Sequence, residues 1–283
     1  WCRAPASASA WAWTSAGRAR THGGPLLAIA RDNQSAHQLE PDLRTLTSVD
    51  SEVPVMHFPD WETLPYDQFS PHPDIVSQRL AALHRLPSLH RGVVVVPVQT
   101  LMQRLAPVSP LVGSSFDVSV GQRMDMDAEK RRLEGAGYRN VPQVFDPGDF
   151  AVRGGLLDIY PMGADEPYRI ELLDDTIDSI RAFDPESQRS LEKYQSVQML
   201  PGREVPMEGE ALQRAMDTLR NRFDIDTRRS GLFQDLKSGL TPSGIEYYLP
   251  LFFEQTATLF DYLTPHALPI LGEGVNEAAD HFW

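Results

Sequence analysis

The run Gly92–Val98 (GVVVVPV) constrains the fold of this chain more than any other segment. Consecutive β-branched residues leave no polar face, which is typical of a strand buried on both sides in a parallel sheet. The segments on either side of it show the hydrophobic period of a strand and that of a helix alternately, so they predict alternating strands and helices. The strands are Pro25–Ala30 and Val53–Phe58, and the helices are Asn33–Leu46, Asp74–Leu86 and Gln99–Leu105. This alternation predicts an α/β domain built on a parallel sheet.

A second type of pattern begins after the Pro- and Ser-rich connector Pro107–Ser115. One helix is predicted at Asp127–Ala136. The predicted strands are Asn140–Phe145, Arg153–Tyr160 and Tyr168–Phe183, the last divided by a turn at Asp174, Asp175 and Thr176. Turn signals between short alternating runs favour antiparallel pairing, so the middle of the chain is predicted to be α+β. A helix at Glu208–Phe223 then opens a mostly helical third unit.

These shifts in pattern predict the domain boundaries. Residues 25–112 form the α/β domain, residues 113–200 the α+β domain and residues 201–283 the third unit. Residues 1–24 show no helix or strand period, and we expect an uncertain or disordered N-terminus. The chain starts at Trp1 and stops in an apparently helical run, so we expect a truncated piece of a longer protein.

The charge balance argues against direct, strong nucleic-acid binding. The net charge is −13, with 26 Lys and Arg against 39 Asp and Glu, whereas a phosphate-binding surface needs clustered cations. The chain has one cysteine, no signal peptide and no apolar run of membrane-spanning length, so we expect a cytoplasmic protein.

No catalytic motif stands out, and we expect neither catalytic residues nor a metal site. The eight histidines show no metal-ligand spacing, and the acidic group Asp174, Asp175 and Asp178 fits a solvated turn better than a metal site.

Several strings in the chain resemble the N-terminal part of the bacterial transcription-repair coupling factors (Mfd). They occur in the same order and spacing from about Pro25 onward. The strings are FPDWETLPYD at 58–67, PVQTLMQR at 97–104, RGGLLDIYPMG at 153–163 and GIEY at 244–247. That region of the family is itself similar to the excision-repair protein UvrB. The resemblance implies a UvrB-like α/β domain, an inserted UvrA-binding domain and a third unit.

The resemblance also implies the function. The chain would recruit UvrA to lesions where RNA polymerase has stalled, in transcription-coupled nucleotide excision repair. RNA polymerase and double-stranded DNA would be contacted only by other parts of the parent protein, and ATP and magnesium would be bound by its motor. Two alternatives remain open: a divergent UvrB-like ATP-dependent repair enzyme, and an autoinhibitory clamp that contacts the parent's C-terminal domain.

The chain departs from UvrB in three places: two departures indicate that this segment binds no nucleotide, and the third concerns DNA. The residues before the first predicted strand, AGRARTHGG at 16–24, lack the Gly-Lys-Ser/Thr of a phosphate-binding loop. After the strand at 267–271, Glu273 stands without the paired Asp that would hold magnesium. Residues 65–73 run directly into a helix and leave no room for UvrB's DNA-probing hairpin. We therefore expect no cofactor and no ATPase activity in this segment.

The strand Arg169–Leu173 (RIELL) is the candidate docking surface. Strand period 2 places Arg169, Glu171 and Leu173 on one face, and Ile170 and Leu172 on the other. The resemblance assigns UvrA binding to two arginines and an aromatic residue, which match Arg153, Arg169 and Leu173. Leu replaces the aromatic here. The alternative for Arg153 is a structural bridge to Asp158.

Overall fold

The computed structural model of the chain describes residues 2–3, 8–48, 53–64, 69–223 and 226–282. Its α-helices are α1 Ala8–Thr21, α2 Asn33–Thr47, α3 Pro73–Arg85, α4 Val98–Leu101, α5 Val108–Gly113, α6 Met126–Ala136, α7 Gly209–Arg222, α8 Gly231–Lys237, α9 Leu259–Tyr262 and α10 Val275–Phe282. Two 3₁₀ helices span Leu86–Ser88 and Ile245–Leu251.

Strands fall into three groups along the chain. The first is β1 Cys2–Arg3, β2 Leu26–Ala30, β3 Val55–His57 and β4 Val93–Pro97. The second is β5 Phe116–Ser119, β6 Arg139–Asn140, β7 Asp149–Arg153, β8 Leu156–Ile159, β9 Tyr168–Leu173, β10 Thr176–Phe183, β11 Ser190–Tyr194 and β12 Ser196–Met199. The last strand is β13 Leu268–Leu271.

The chain divides into two compact units, each built from discontinuous segments. The first unit comprises residues 1–62, 82–108 and 257–283, and the second comprises residues 63–81 and 109–256. Strand β13 therefore lies in the first unit. The predicted boundaries at 112 and 200 stay predictions.

The first unit contains the predicted parallel sheet. Among the described residues its strands run in the order β1, β13, β2, β4, β3, and each neighbouring pair is parallel. Val93 to Val96 are fully buried, as a strand covered on both faces requires. Helix α2 packs Ala36, Leu39 and Leu43 against this sheet. The α/β prediction is confirmed for this unit.

Helix α1 corrects the expectation for the N-terminus. Residues 8–21 form a helix where no regular element was predicted. Its buried positions Ala12, Ala16 and Ala19 recur at helical spacing and join the core of the first unit. Alanine gives a weak apolar signal, so the buried stripe is not apparent from the letters alone. The side chains of Trp11 and Trp13 lie outside the described residues.

The second unit contains a sheet with strands in the order β11, β10, β9, β8, β7, β6 in the described part of the chain. Its pairs are antiparallel except for β6 with β7, and strands β5 and β12 pair separately. One face of the sheet buries apolar side chains, namely Phe150, Leu157, Ile159, Ile170, Ile177 and Ile180. The prediction of an α+β unit with antiparallel pairing is confirmed.

Two strand predictions in this unit were wrong in detail. The predicted strand Asn140–Phe145 ends at Asn140, because Pro142 carries no backbone N–H and cannot continue a ladder. The predicted strand Arg153–Tyr160 is the end of β7, a turn and β8. Gly154 makes that turn with a φ of +60°, a conformation that glycine adopts without strain.

Candidate protein-docking face

The three predicted site residues lie on one face of the six-stranded sheet. Arg153 ends β7, Arg169 follows the first residue of β9, and Leu173 ends β9. Arg153 pairs with Leu156, which in turn pairs with Glu171. Directly paired residues point to the same side of a sheet, so Arg153 and Glu171 share a side. Arg169 and Leu173 lie two residues from Glu171 on the same strand and therefore point to that side too. We refer to this side of the sheet, defined by Arg153, Leu156, Arg169, Glu171 and Leu173, as the polar face.

Asp158 joins the two arginines. It pairs with Arg169 across β8 and β9. Arg169 donates from Nε to Oδ1 at 2.7 Å and from Nη2 to Oδ2 at 2.8 Å, which is a bidentate contact. Arg153 donates from Nη2 to the same Oδ2 at 2.5 Å. Both carboxylate oxygens of Asp158 are thus occupied by guanidinium donors, and a single negative charge serves two positive ones.

The two arginines differ in how firmly they are held. The side chain of Arg169 is 18% exposed, while that of Arg153 is 53% exposed and that of Asp158 only 2%. The guanidinium of Arg169 also lies 4.9 Å from the centre of the Phe183 ring. Its hydrogen bonds to Asp158 raise the pKa of Arg169 above the ordinary value for arginine. Arg169 is therefore fixed in place, and Arg153 is the more accessible cation.

Leu173 provides the apolar element of the polar face. Its side chain is 68% exposed, although large apolar side chains are usually covered. The following turn contains Asp174 at a φ of +57°, a left-handed conformation that Asp tolerates, and β10 begins at Thr176. The predicted turn is confirmed. Leu173 lies four residues, or roughly 13 Å, along the strand from Arg169.

The central position of Asp158 was not predicted from the sequence, where Asp158 was considered only as a structural partner for Arg153. Two cations in the same row were not predicted either. Arg181 of β10 pairs directly with Arg169, and Lys193 of β11 pairs directly with Arg181. The available signal was the turn at Gly154, because a hairpin centred there sets Arg153 opposite Leu156 and brings Asp158 to the polar face.

The places proposed for a lost nucleotide site lie in the first unit. Residues 16–21, expected to replace a phosphate-binding loop, belong to helix α1. The connection from β1 to α1, residues 4–7, lies outside the described residues, as do residues 65–68 of the loop before α3. After β13, Gly272 donates its N–H to the carbonyl of Ile29, and α10 begins at Val275, so Glu273 lies in a short turn.

Within the described ranges, no group of three or more His, Cys, Asp or Glu side chains is arranged to hold a metal ion. In the same part of the chain, none of the helices is long and apolar enough to cross a membrane.

Comparison with known proteins agrees with the resemblance inferred from the motifs. Residues 116–204 match the UvrB interaction domain, and this stretch contains the polar face. The transcription-repair-coupling factor of Escherichia coli (strain K12) is 42% identical over 265 residues, which are 93% of this chain and 23% of that protein. The factors of Haemophilus influenzae and Myxococcus xanthus are 41% and 38% identical over 90% and 94% of the chain. The chain spans less than a quarter of the length of these relatives.

Proposed function

We propose that this chain, which is similar over nearly its whole length to one segment of the transcription-repair-coupling factors, is a docking module for UvrA. It recruits UvrA to lesions where RNA polymerase has stalled and so serves transcription-coupled nucleotide excision repair. The match of residues 116–204 to the UvrB interaction domain carries this proposal. An exposed leucine on the same sheet face as the accessible guanidinium of Arg153 supports it, because apolar anchors and arginines are enriched at protein interfaces.

Each residue of the site has a distinct role in this proposal. Leu173 enters an apolar pocket of UvrA. Arg153, which has free N–H groups beyond its contact with Asp158, receives a UvrA carboxylate. Arg169 keeps its bidentate contact with Asp158, and its two longer contacts, at 3.5 Å to the backbone and side-chain oxygens of Gln188, give way to a partner carboxylate. A cation that is held before binding loses less side-chain entropy on association.

The chemistry of the parent protein belongs to other segments in this proposal. The ATP-dependent translocase motor, with its ATP and magnesium, and the contacts to RNA polymerase and double-stranded DNA lie outside this chain. The chain itself binds no nucleotide and works in the bacterial cytoplasm. Its net charge of −13 supports a protein partner over a nucleic acid.

Binding of purified Escherichia coli UvrA to the 283-residue chain tests the proposal. Leu173→Ser should weaken binding by about 2 kcal/mol, roughly 30-fold in Kd, because the lost side chain is an anchor. Leu240→Ser is the matched control, since Leu240 is also exposed and lies outside the sheet. Arg153→Ala and Arg169→Ala should also weaken binding. Wild-type chain that leaves UvrA unbound, or equal binding by Leu173→Ser and Leu240→Ser, would refute the proposal.

A thermal shift experiment tests the proposed lack of nucleotide binding. A ligand that binds the native state raises Tm in proportion to the logarithm of its concentration. Tm should stay constant as ATP and magnesium rise to millimolar levels. A rise in Tm with ATP concentration would instead support the divergent ATPase.

A further inference from the structure

We infer that Arg181 is an additional partner-contacting residue of the polar face, and that Lys193 extends the same contact at its edge. The inference deepens the proposed function and rests on it. In this inference Arg181 and Lys193 bind carboxylates of an acidic patch on UvrA.

The sheet register places both cations beside the site already described. Asp158, Arg169, Arg181 and Lys193 are successive direct partners across β8, β9, β10 and β11. Neighbouring strands lie about 4.8 Å apart, so the row continues the face from Arg169 over two further strands, roughly 10 Å. A partner that contacts Arg169 therefore has Arg181 within one strand spacing of that contact.

The row carries uncompensated positive charge. Asp158 is occupied by Arg153 and Arg169, and Glu171 accepts a hydrogen bond at 2.9 Å from the hydroxyl of Ser179. In the part of the chain that the structure describes, neither Arg181 nor Lys193 forms an ion pair. Like charges directly opposite each other on paired strands destabilise a sheet.

The guanidinium of Arg181 also has an unmet hydrogen bond. Its Nε is buried and has no hydrogen-bond partner among the described residues. A buried donor without a partner is costly, and this one belongs to a charged group. The guanidinium of Arg181 therefore gains no charge-assisted hydrogen bond within the described residues, and its charge remains available to a carboxylate brought by a partner.

Charge complementarity identifies the occupant as an acidic protein surface. The face and its row hold four cations, Arg153, Arg169, Arg181 and Lys193, against the carboxylates of Asp158 and Glu171. The rest of the chain is strongly acidic, since the net charge is −13. A long phosphate backbone would meet this acidic surface around the row, whereas a compact carboxylate patch would meet only the row itself.

The test measures UvrA binding by the full chain at several salt concentrations. Arg181→Gln should weaken binding about tenfold and flatten the salt dependence, and Lys193→Gln should weaken it roughly twofold to threefold as an exposed edge contact. Arg228→Gln is the matched control, because it removes the same charge from the loop before α8. The melting temperature of Arg181→Gln should be no lower than that of the wild type, which a structural role for Arg181 would not allow.

The outcomes separate this inference from the proposed function. Equal binding by Arg181→Gln and Arg228→Gln, while Leu173→Ser loses affinity, would overturn the role of Arg181 alone. A lowered melting temperature with unchanged affinity would also overturn it. Failure of the wild type to bind UvrA would refute both. Binding of duplex DNA that Arg181→Gln abolishes, without any effect on UvrA, would assign the row to nucleic acid and overturn the inference.

Discussion

The two guanidiniums that share Asp158 should contribute very unequally to stability. The contact with Arg169 is bidentate, and both side chains are largely buried, so a coupling energy of about 2–3 kcal/mol is expected. The contact with Arg153 is a single hydrogen bond to a half-exposed side chain, for which about 0.2–1 kcal/mol is typical. Asp158→Asn alone should destabilise the second unit by roughly 3 kcal/mol, because it leaves buried cationic donors without a counter-charge.

Double-mutant cycles of Asp158→Asn with Arg169→Gln and with Arg153→Gln measure both couplings. Tryptophan fluorescence is unsuitable here, because Trp1, Trp11, Trp13, Trp61 and Trp283 all belong to the first unit or its terminal segments. Hydrogen exchange of peptides from β8 to β10 in low urea reports the opening of the second unit directly.

The exposed pair Arg123 and Asp175 provides the control. Asp175→Asn makes the same chemical change at a solvated site and should alter stability by no more than about 0.5 kcal/mol. Equal coupling energies in the two cycles, or an Asp158→Asn variant as stable as Asp175→Asn, would contradict this prediction. Either result would mean that burial and bidentate geometry do not decide the strength of these contacts.

Three further predictions concern other contacts. Leu173→Phe should tighten UvrA binding by about 1 kcal/mol, roughly fivefold in Kd, because an aromatic ring buries more apolar area; unchanged affinity in a titration would contradict this. Glu204→Gln should destabilise the second unit by about 3 kcal/mol in hydrogen exchange, because Arg79 is fully buried against Glu204; wild-type protection would contradict it. The hydrogen bond from His57, with a smaller effect of Arg44, lowers the pKa of Glu40 from 4.5 to about 2. The ionised Glu40 therefore stabilises the folded state fully above pH 4.5, and this stabilisation is lost as pH falls toward 2. Acid titration by tryptophan fluorescence should show a stability advantage of up to about 3 kcal/mol over Glu40→Gln at neutral pH, shrinking over that window; a constant difference would contradict it.

The sequence predicted the features that depend on local pattern. The run Val93 to Val96 predicted a strand buried on both faces, and Asp174 with Asp175 predicted the turn between β9 and β10. Both predictions are confirmed. These signals succeed because burial on both faces and turn chemistry act on neighbouring residues. Ile170 likewise faces the core, as strand alternation predicted.

Features that depend on distant partners were not predictable in this way. Arg79 lies on a helix predicted to be amphipathic, yet it is fully buried because Glu204, 125 residues away, supplies its counter-charge. Asp158 is buried for the same kind of reason, since its two cations come from β7 and β9. A single sequence shows which residues are charged but not which charges meet, and pairing decides whether a charge can be buried.

The pairing at Asp158 has a consequence for recognition. A guanidinium that is free in solution must be ordered when it binds, at a cost of about 0.5–1.5 kcal/mol for each such side chain. Asp158 has already ordered Arg169, while Arg153 keeps more freedom and more exposed surface. The strand then holds Leu173 at a fixed spacing of roughly 13 Å from Arg169. A partner must therefore offer carboxylates and an apolar pocket at that spacing, and a surface with acidic charge alone would gain little from this face, because exposed ion pairs contribute little without a buried anchor.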